Sequence, residues 1–215
     1  MPEQRKRQET RRRLVEAASK LYSERGFDAV TIDEIAALAG VARRTFFRYF
    51  DVKEESAFPF NEARIELMKR AFLNRAGGRP ATIVDIRAVF SEMSQEFMAH
   101  AETAAENRKI IEKSAALVRF DLSINLDWER VIAHGIDGTL ALQDQESVPP
   151  TSYAAELAAG AIIGALLPAF RAWYAGDVKG DLKILGLEAL DLIENGMGHG
   201  PLAGSRYAPD KPGGA

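Results

Sequence analysis

Residues 30–53 read VTIDEIAALAGVARRTFFRYFDVK and predict two short helices that meet at a glycine. Thr31 precedes Glu34 by three positions, the capping-box spacing in which each side chain bonds a free backbone N–H at a helix start. The first helix should therefore begin near Ile32. Gly40 can adopt the left-handed backbone conformation that ends a helix and redirects the chain, so the second helix should begin near Ala42.

The second helix separates aromatic from basic side chains. Phe46 and Phe50 lie four positions apart and can face a core, while the basic residues point elsewhere. An arginine fork can bond O6 and N7 of a guanine together, as in a helix-turn-helix whose second helix enters the DNA major groove. The alternative is a small helical subdomain with a solvated arginine face. The residues predicted to contact DNA are Thr31, Arg43, Arg44, Thr45, Arg48, Tyr49 and Lys53, with the two adjacent arginines at base edges and Tyr49 and Lys53 at phosphates.

A wider pattern extends this motif over residues 10–56. It comprises Leu21 to Phe27, Thr31, Ile35, Ala36, Ala39, Gly40, Val41, Thr45, Phe46, Phe47, Tyr49, Phe50, Lys53 and Glu54. In these residues the segment resembles the DNA-binding domain of the TetR family of bacterial transcription regulators. Two positions depart from the family pattern: Ala42 replaces a frequent serine cap, and Phe47 replaces a frequent phosphate-contacting tyrosine. Neither of those contacts is assigned to this chain.

The charge of the chain is unevenly distributed. Residues 1–53 hold twelve Lys and Arg against eight Asp and Glu, whereas the remainder holds sixteen against twenty-three, for a net charge of −3. A basic end on an acidic body suits DNA binding by that end, although an ordinary solvated surface can have the same composition. Residues 5–13, RKRQETRRR, have two interpretations: a disordered, solubilising tail, or an arm that follows phosphates or the minor groove.

The rest of the chain is expected to be helical. The helical spacing of apolar residues predicts a first helix over 10–24. Beyond the motif, breaks at glycine and proline clusters predict helices at about 53–75, with Asp51 as its N-cap, and at 81–102, 105–119, 121–143, 152–174 and 181–195. The fold class is therefore all-α with about nine helices. Residues 1–55 are expected to form an arm and a three-helix DNA-binding domain, and the glycine- and proline-rich residues 197–215 a flexible tail. The family resemblance implies that residues 56–196 form a helical effector-binding and dimerisation domain.

The middle helices carry many large, adaptable apolar side chains. Such residues are good core fillers, and any one of them can be explained as core. The family resemblance implies that this region encloses a small-molecule effector in a mostly apolar pocket. The predicted wall residues are Met68, Phe72, Phe90, Met93, Phe97, Phe120 and Trp128. The polar groups that could orient a ligand are Arg64, Arg119, Asn125 and His134.

The last two helices combine small residues with apolar residues on several faces. A helix that is apolar nearly all round is expected to be buried, and Pro168 is expected to kink or interrupt it. The resemblance implies that these helices pair across a two-fold axis in a four-helix interface. The predicted interface residues are Gly160, Ile163, Gly164, Leu167, Leu185 and Leu192.

Several classes of protein are disfavoured by the sequence. The chain has no cysteine, its start is too polar for a secretory signal, and its longest uncharged stretch, residues 157–170, is too short to span a bilayer. A cytoplasmic protein without a membrane partner is therefore expected. The histidines His100, His134 and His199 are scattered, and no metal, hydrolase or nucleotide motif is present. No cofactor, metal or catalytic residue is predicted.

Together these features predict a homodimeric transcription regulator that is not an enzyme. It would act as a repressor that binds a near-palindromic double-stranded DNA operator. A small apolar or amphipathic effector would release it from the DNA. The alternatives are a TetR-type activator and a helical enzyme or metal-binding protein.

Overall fold

The computed structural model describes residues 2–140, 150–176 and 179–195. Every regular element in these ranges is helical, and nine are α-helices, which confirms the predicted fold class. The helices are α1 Pro2–Arg25, α2 Ile32–Leu38, α3 Arg43–Phe46, α4 Asn61–Ala76, α5 Ile83–Ala99, α6 Ala101–Ile111, α7 Ala115–Asp137, α8 Tyr153–Ala175 and α9 Leu182–Asn195. The predicted tail and His199 lie outside the described residues.

The first three helices form a small domain, called the head here, around an apolar core that Ile111 of α6 and Leu117 of α7 also enter. Leu14, Ile35 and Phe46 are completely buried in that core. The predicted capping box starts α2: the Thr31 hydroxyl accepts a hydrogen bond from the Glu34 N–H, and the Glu34 carboxylate accepts one from the Thr31 N–H. Gly40 has the left-handed φ of +64° that the turn after α2 requires.

Helix α1 is much longer than predicted, because it includes the basic stretch at residues 5–13. The stretch is therefore not a disordered tail, whereas the arm that follows phosphates or the minor groove stays a prediction. Arg12 pairs with Glu9 and Glu16 at 2.7 Å each, one turn away on either side, and such pairs favour a helix. The spacing of the apolar residues did not detect this extension, since it is polar on every side.

The fourth α-helix begins later than predicted, and Asp51 is not its cap. Residues Glu54–Ala57 form one turn of 3-10 helix, and α4 starts only at Asn61. Pro59 explains the interruption, because the residue before a proline is pushed out of the α conformation; Phe58 has φ −122° and ψ 57°. The helix break that was predicted near residue 120 is also wrong. The observed break lies at residues 112–114, between α6 and α7, and the Ser114 hydroxyl caps α7 by accepting a hydrogen bond from the Leu117 N–H.

Helices α4 to α9 form the larger domain, called the body here. Helix α8 packs between α7 and α9, α5 packs on α9 and α4, and α4 also packs on α7. Trp173 is buried in the body core and donates a hydrogen bond from its indole to the Gly180 carbonyl at 3.0 Å. The α-helix α8 continues through Pro168 without interruption.

Helix α8 is longer than the uncharged stretch from which a membrane-spanning segment was excluded in the sequence. At 23 residues it is the one helix in the described ranges that is long and apolar enough to cross a bilayer, although core helices of soluble proteins pass the same test. The uncharged stretch that appeared too short is only part of this helix.

Candidate DNA-reading surface and effector cavity

The α2–turn–α3 segment holds its second helix against the head core by aromatic packing. Phe46 and Phe50 are buried with their ring centroids 5.1 Å apart. Ala42 is the N-cap of α3 in an extended conformation, but its side chain cannot accept a backbone N–H. Helix α3 is only four residues long, followed by turns that continue the same surface. The side chains opposite the core are therefore presented to solvent.

The arginines of this surface have different environments. Arg43 pairs with Asp33 of α2 at 2.5 Å, and its guanidinium carbon lies 5.6 Å from the centroid of the Phe47 ring. Arg44 and Arg48 are exposed and form no hydrogen bond or ion pair within the described chain. Their guanidinium groups are thus available to an external partner, whereas Arg43 must first give up Asp33. Thr45 and Tyr49 lie half-buried beside them.

Two residues predicted to contact DNA have partners inside the head. Lys53 donates hydrogen bonds from Nζ to the carbonyls of Phe27 at 3.0 Å and Val30 at 2.8 Å, and Nζ lies 3.9 Å from the Phe27 ring centroid. These contacts hold the loop between α1 and α2, which differs from the predicted phosphate contact. The hydroxyl of Thr31 is likewise engaged in the capping box.

Phe47 belongs to the same exposed surface, although no contact was assigned to it from the sequence. Its side chain is 44% exposed, and its ring packs edge-on against Phe46 with centroids 5.7 Å apart. An exposed apolar ring beside arginines can contact the methyl group of a thymine. The sequence signal was the spacing itself, since placing Phe46 and Phe50 in the core turns Phe47 outward.

The body encloses a cavity of about 200 Å³ bounded by residues of α4 to α8. Six of the seven predicted wall residues line it: Met68, Phe72, Phe90, Met93, Phe97 and Trp128. Phe120 does not line it; its ring packs against Phe58 at a centroid distance of 5.4 Å. The wall is predominantly apolar, as expected for a site that binds an apolar molecule.

The polar groups of the cavity only partly match the prediction. Arg64 and Asn125 line it, but Arg119 and His134 do not. The buried His134 ring has Nδ1 2.8 Å from the Thr139 hydroxyl, and burial lowers the pKa of the ring. Polar wall residues that the sequence did not single out are Asn61, Asn107, Arg108, Asp121 and Tyr174.

Three residues connect the cavity with the head. Ala57, Phe58 and Ile111 line the cavity and also pack in the apolar core of the head. A molecule in the cavity therefore touches side chains on which the head itself rests. The sequence could not indicate this sharing, because Ile111 lies at the end of α6, far along the chain from the head.

The predicted interface residues are not all on one outward face. Ile163 and Leu167 line the cavity, Leu185 packs against the body core, and Gly160 faces Glu129 of α7. Leu192 is half-buried, whereas Gly164 is exposed with no neighbouring atom where a Cβ would lie. The exposed stripe of α8 consists of Tyr153, Leu157, Ala161, Gly164 and Pro168.

Comparisons with known proteins agree with this architecture. Residues 14–55 match the family model described as bacterial regulatory proteins, tetR family. The chain is 24% identical over 194 residues, 90% of its length and 93% of the relative, to the putative mycofactocin biosynthesis transcriptional regulator MftR of Mycobacterium tuberculosis. It is 38% identical over 78 residues, 36% of its length and 33% of the relative, to the HTH-type transcriptional regulator TcmR of Streptomyces glaucescens.

A solved structure shares the fold over nearly the whole chain. The TetR family repressor FadR of Thermus thermophilus, crystallised in complex with lauroyl-CoA, superimposes with a TM-score of 0.54 at 22% identity and covers 95% of this chain and 100% of that one. The match over residues 14–55 and the likeness to MftR along the chain, together with the helix-turn-helix geometry, support a transcriptional regulator of the TetR family.

Proposed function

We propose that the protein is a homodimeric repressor that binds a near-palindromic double-stranded DNA operator and leaves it when a small apolar or amphipathic effector enters the cavity. It acts in the cytoplasm, without a catalytic step or a cofactor. The observation that carries this proposal is the sharing of Ala57, Phe58 and Ile111 between the cavity wall and the head core. The repressor sense is supported by the described role of the Thermus FadR protein.

DNA binding is assigned to the exposed face of α3 and the turns after it. Arg44 and Arg48 supply unpaired guanidinium groups, Thr45 and Phe47 can contact base edges, and Tyr49 lies where a phosphate contact is expected. A dimer presents two such faces to half-sites about one helical turn, roughly 34 Å, apart.

Pairing is assigned to the exposed stripe of α8 and the neighbouring part of α9. Leu157 is 61% exposed and Ile184 is 55% exposed, so each protomer leaves large apolar side chains in water on adjacent helices. Large apolar side chains exposed on neighbouring helices are typical of a protein–protein contact. The small residues Ala161 and Gly164 would allow two copies of α8 to approach closely. This assignment also accounts for the composition of α8 without a membrane.

Effector release follows from the position of the shared residues. A molecule in the cavity would press on Phe58, just before α4, and on Ile111 at the end of α6. Because both side chains also pack in the head core, the head would rotate relative to the body. This rotation would change the distance between the two α3 faces that contact DNA in the dimer. By linkage, operator DNA must weaken effector binding by the same factor as effector weakens operator binding.

The pairing surface can be tested with two matched charge substitutions. Leu157→Glu places a charge in the proposed interface, whereas Val84→Glu places one at an apolar residue of α5 that is 70% exposed and outside it. Both residues are exposed, so both variants should keep the helical circular dichroism. Analytical ultracentrifugation should show a monomer for Leu157→Glu and a dimer for Val84→Glu.

The DNA part of the test uses a duplex obtained by selecting bound sequences from a random library. Wild type and Val84→Glu should bind this duplex tightly, and the selected sequence should contain two inverted half-sites. Leu157→Glu should lose tight binding to this duplex, although the exposed face of its α3 is unaltered. A dimeric Leu157→Glu with normal DNA binding would refute the assignment, and selection of a single half-site would refute the dimeric mode of binding.

A further inference from the structure

Among the described residues, the cavity contains one charged side chain with buried donors that have no hydrogen-bond partner. Two guanidinium nitrogens of Arg64 on α4, Nε and Nη2, are buried and make no hydrogen bond within the described residues. Arginine stays protonated in proteins, so this is a charge as well as a pair of orphaned donors. A buried charge or donor without a partner is costly, and native structures rarely retain one without a reason.

The described residues around Arg64 pack against its guanidinium group but accept no hydrogen bond from Nε or Nη2. Its guanidinium carbon lies 3.8 Å from the centroid of the Phe97 ring and 5.3 Å from that of Phe60. Such rings attract a cation through their faces but offer no acceptor in the plane of the fork. The carboxylate of Glu96 forms no ion pair with Arg64 within the described residues, and its Oε1 lies 3.2 Å from His100 Nδ1.

The second arginine of the cavity provides an internal comparison. Arg108 donates from Nε to Glu112 at 2.9 Å and from Nη1 to Asp121 at 2.7 Å. Its charge is therefore neutralised by residues of the chain, and the cavity carboxylate Asp121 is used in doing so. In the part of the chain that the structure describes, the wall thus presents one positive charge without an ion-pair partner, at Arg64.

The free edge of Arg64 has a specific geometry. Nε and Nη2 lie side by side on one edge of the planar guanidinium group, and their two N–H bonds point in the same direction. This is the arrangement that binds both oxygens of a carboxylate. Tyr174 lines the same cavity.

We infer that the effector is an amphipathic monocarboxylate whose two oxygens pair with Nε and Nη2 of Arg64 while its apolar part fills the phenylalanine and methionine wall. This inference rests on the proposed effector function of the cavity. The size supports a small molecule, because an apolar cavity of about 150 Å³ holds benzene and this one measures about 200 Å³. A single ring or a short chain with an acidic end matches both the volume and the charge.

The test uses three ligands with the same eight-carbon chain: octanoate, octan-1-ol and octyl phosphate. Calorimetric titration of the full-length protein should show octanoate binding roughly ten- to a hundredfold more tightly than octanol, since a hydrogen bond to a charged group is worth more than one between neutral groups. Arg64→Met keeps an apolar stem, and it should remove this preference without weakening the binding of octanol. Arg64→Lys keeps the charge but not the fork, and should give an intermediate preference.

A second readout does not depend on the ligand. Because the buried donors of Arg64 are unpaired, Arg64→Met without ligand should melt at a temperature equal to or higher than wild type. A lower melting temperature, equal binding of octanoate and octanol to wild type, or failure of both to bind would overturn the inference. Tighter binding of octyl phosphate than of octanoate would overturn the carboxylate assignment.

Operator release separates this inference from the proposed function. Octanoate that binds through Arg64 but does not release operator would support the anion site and contradict the effector role of the cavity. Octanol that binds and releases operator as well as octanoate does would support the effector role and overturn the anion site.

Discussion

Ser114 donates a hydrogen bond from Oγ to Oδ1 of Asp28 at 3.0 Å, and so joins the start of α7 to the loop between α1 and α2. The same Ser114 oxygen caps α7 by accepting the Leu117 N–H. Ser114 is buried, whereas Asp28 is exposed. A single serine therefore caps the start of one helix of the body and holds a loop of the head.

These two roles of Ser114 can be separated. Asp28→Ala removes the link but leaves the cap, and should lower the free energy of unfolding by about 1 kcal/mol. Ser114→Ala removes both, and should cost about 1 kcal/mol more, the usual effect of losing an N-cap. Urea denaturation of both variants measures the difference. Equal losses would mean that the cap contributes nothing, and no loss in Asp28→Ala would mean that the link contributes nothing.

Lys53 should affect stability more than DNA binding. Lys53→Met keeps the stem but loses two hydrogen bonds to backbone carbonyls and the contact with Phe27, so unfolding should become easier by about 1 to 3 kcal/mol. The salt dependence of DNA binding should not change. Arg48→Ala serves as the comparison: Arg48 is exposed beside Tyr49, we expect it to contact a phosphate, and loss of such a contact reduces the salt slope by about one unit. The reverse pattern would restore Lys53 as a phosphate contact.

Arg44 is expected to discriminate between base pairs. It is exposed and unpaired within the described residues, so it can present its fork to a base edge without losing another contact. Arg44→Ala should reduce binding to the selected operator by about 1 to 3 kcal/mol and reduce binding to a scrambled duplex much less. Arg43→Ala is the matched variant and should have a smaller effect, because Arg43 already pairs with Asp33. Equal losses on both duplexes for Arg44→Ala would exclude base readout.

Two helix-interior glycines should respond in opposite ways to alanine. A Cβ at Gly186 of α9 would lie 2.0 Å from the tip of the Phe90 ring, whereas one at Gly164 would meet no atom within 4 Å. Gly186→Ala should therefore cost about 1 to 3 kcal/mol of stability through overpacking. The displaced ring should also narrow the cavity and weaken ligand binding. Gly164→Ala should gain up to about 1 kcal/mol in a monomeric background such as Leu157→Glu, because alanine favours a helix.

Denaturation and titration of the two glycine variants measure these effects. If Gly186→Ala is as stable as wild type and binds ligand normally, then the Phe90 ring does not rest on the α9 backbone in solution.

Acid should weaken the head through Glu34. The hydrogen bond from Arg25 and those from the Thr31 backbone and hydroxyl lower the pKa of Glu34 from 4.5 to about 2. A lowered pKa in the folded state means that the fold favours the carboxylate. This stabilisation is complete above the ordinary value and disappears as the pH falls from about 4.5 to about 2. Hydrogen exchange in α2 should speed up across this interval, and less so in Glu34→Gln. An identical response of both proteins would contradict the assignment.

The features that the sequence determined by itself are local. The capping box of Thr31 and Glu34, the left-handed turn at Gly40 and the inward spacing of Phe46 and Phe50 each involve residues within one or two helical turns. The stability of each of these features depends on backbone geometry that neighbouring residues set. The helix-turn-helix of the head could therefore be predicted without knowledge of its tertiary contacts. The apolar cavity was predictable only with the help of the family resemblance, because large apolar side chains on helices are equally explained as core.

The features that only the tertiary structure decided depend on contacts between distant residues. Helix packing brings Asp121 of α7 to Arg108 of α6, which is therefore paired. Among the described residues Arg64 meets aromatic rings instead, and its buried donors stay unpaired. Lys53 contacts carbonyls 23 and 26 residues earlier in the chain. Spacing along one helix gives the direction of a side chain but not the partner it meets, because that partner depends on how the helices rotate and cross when they pack.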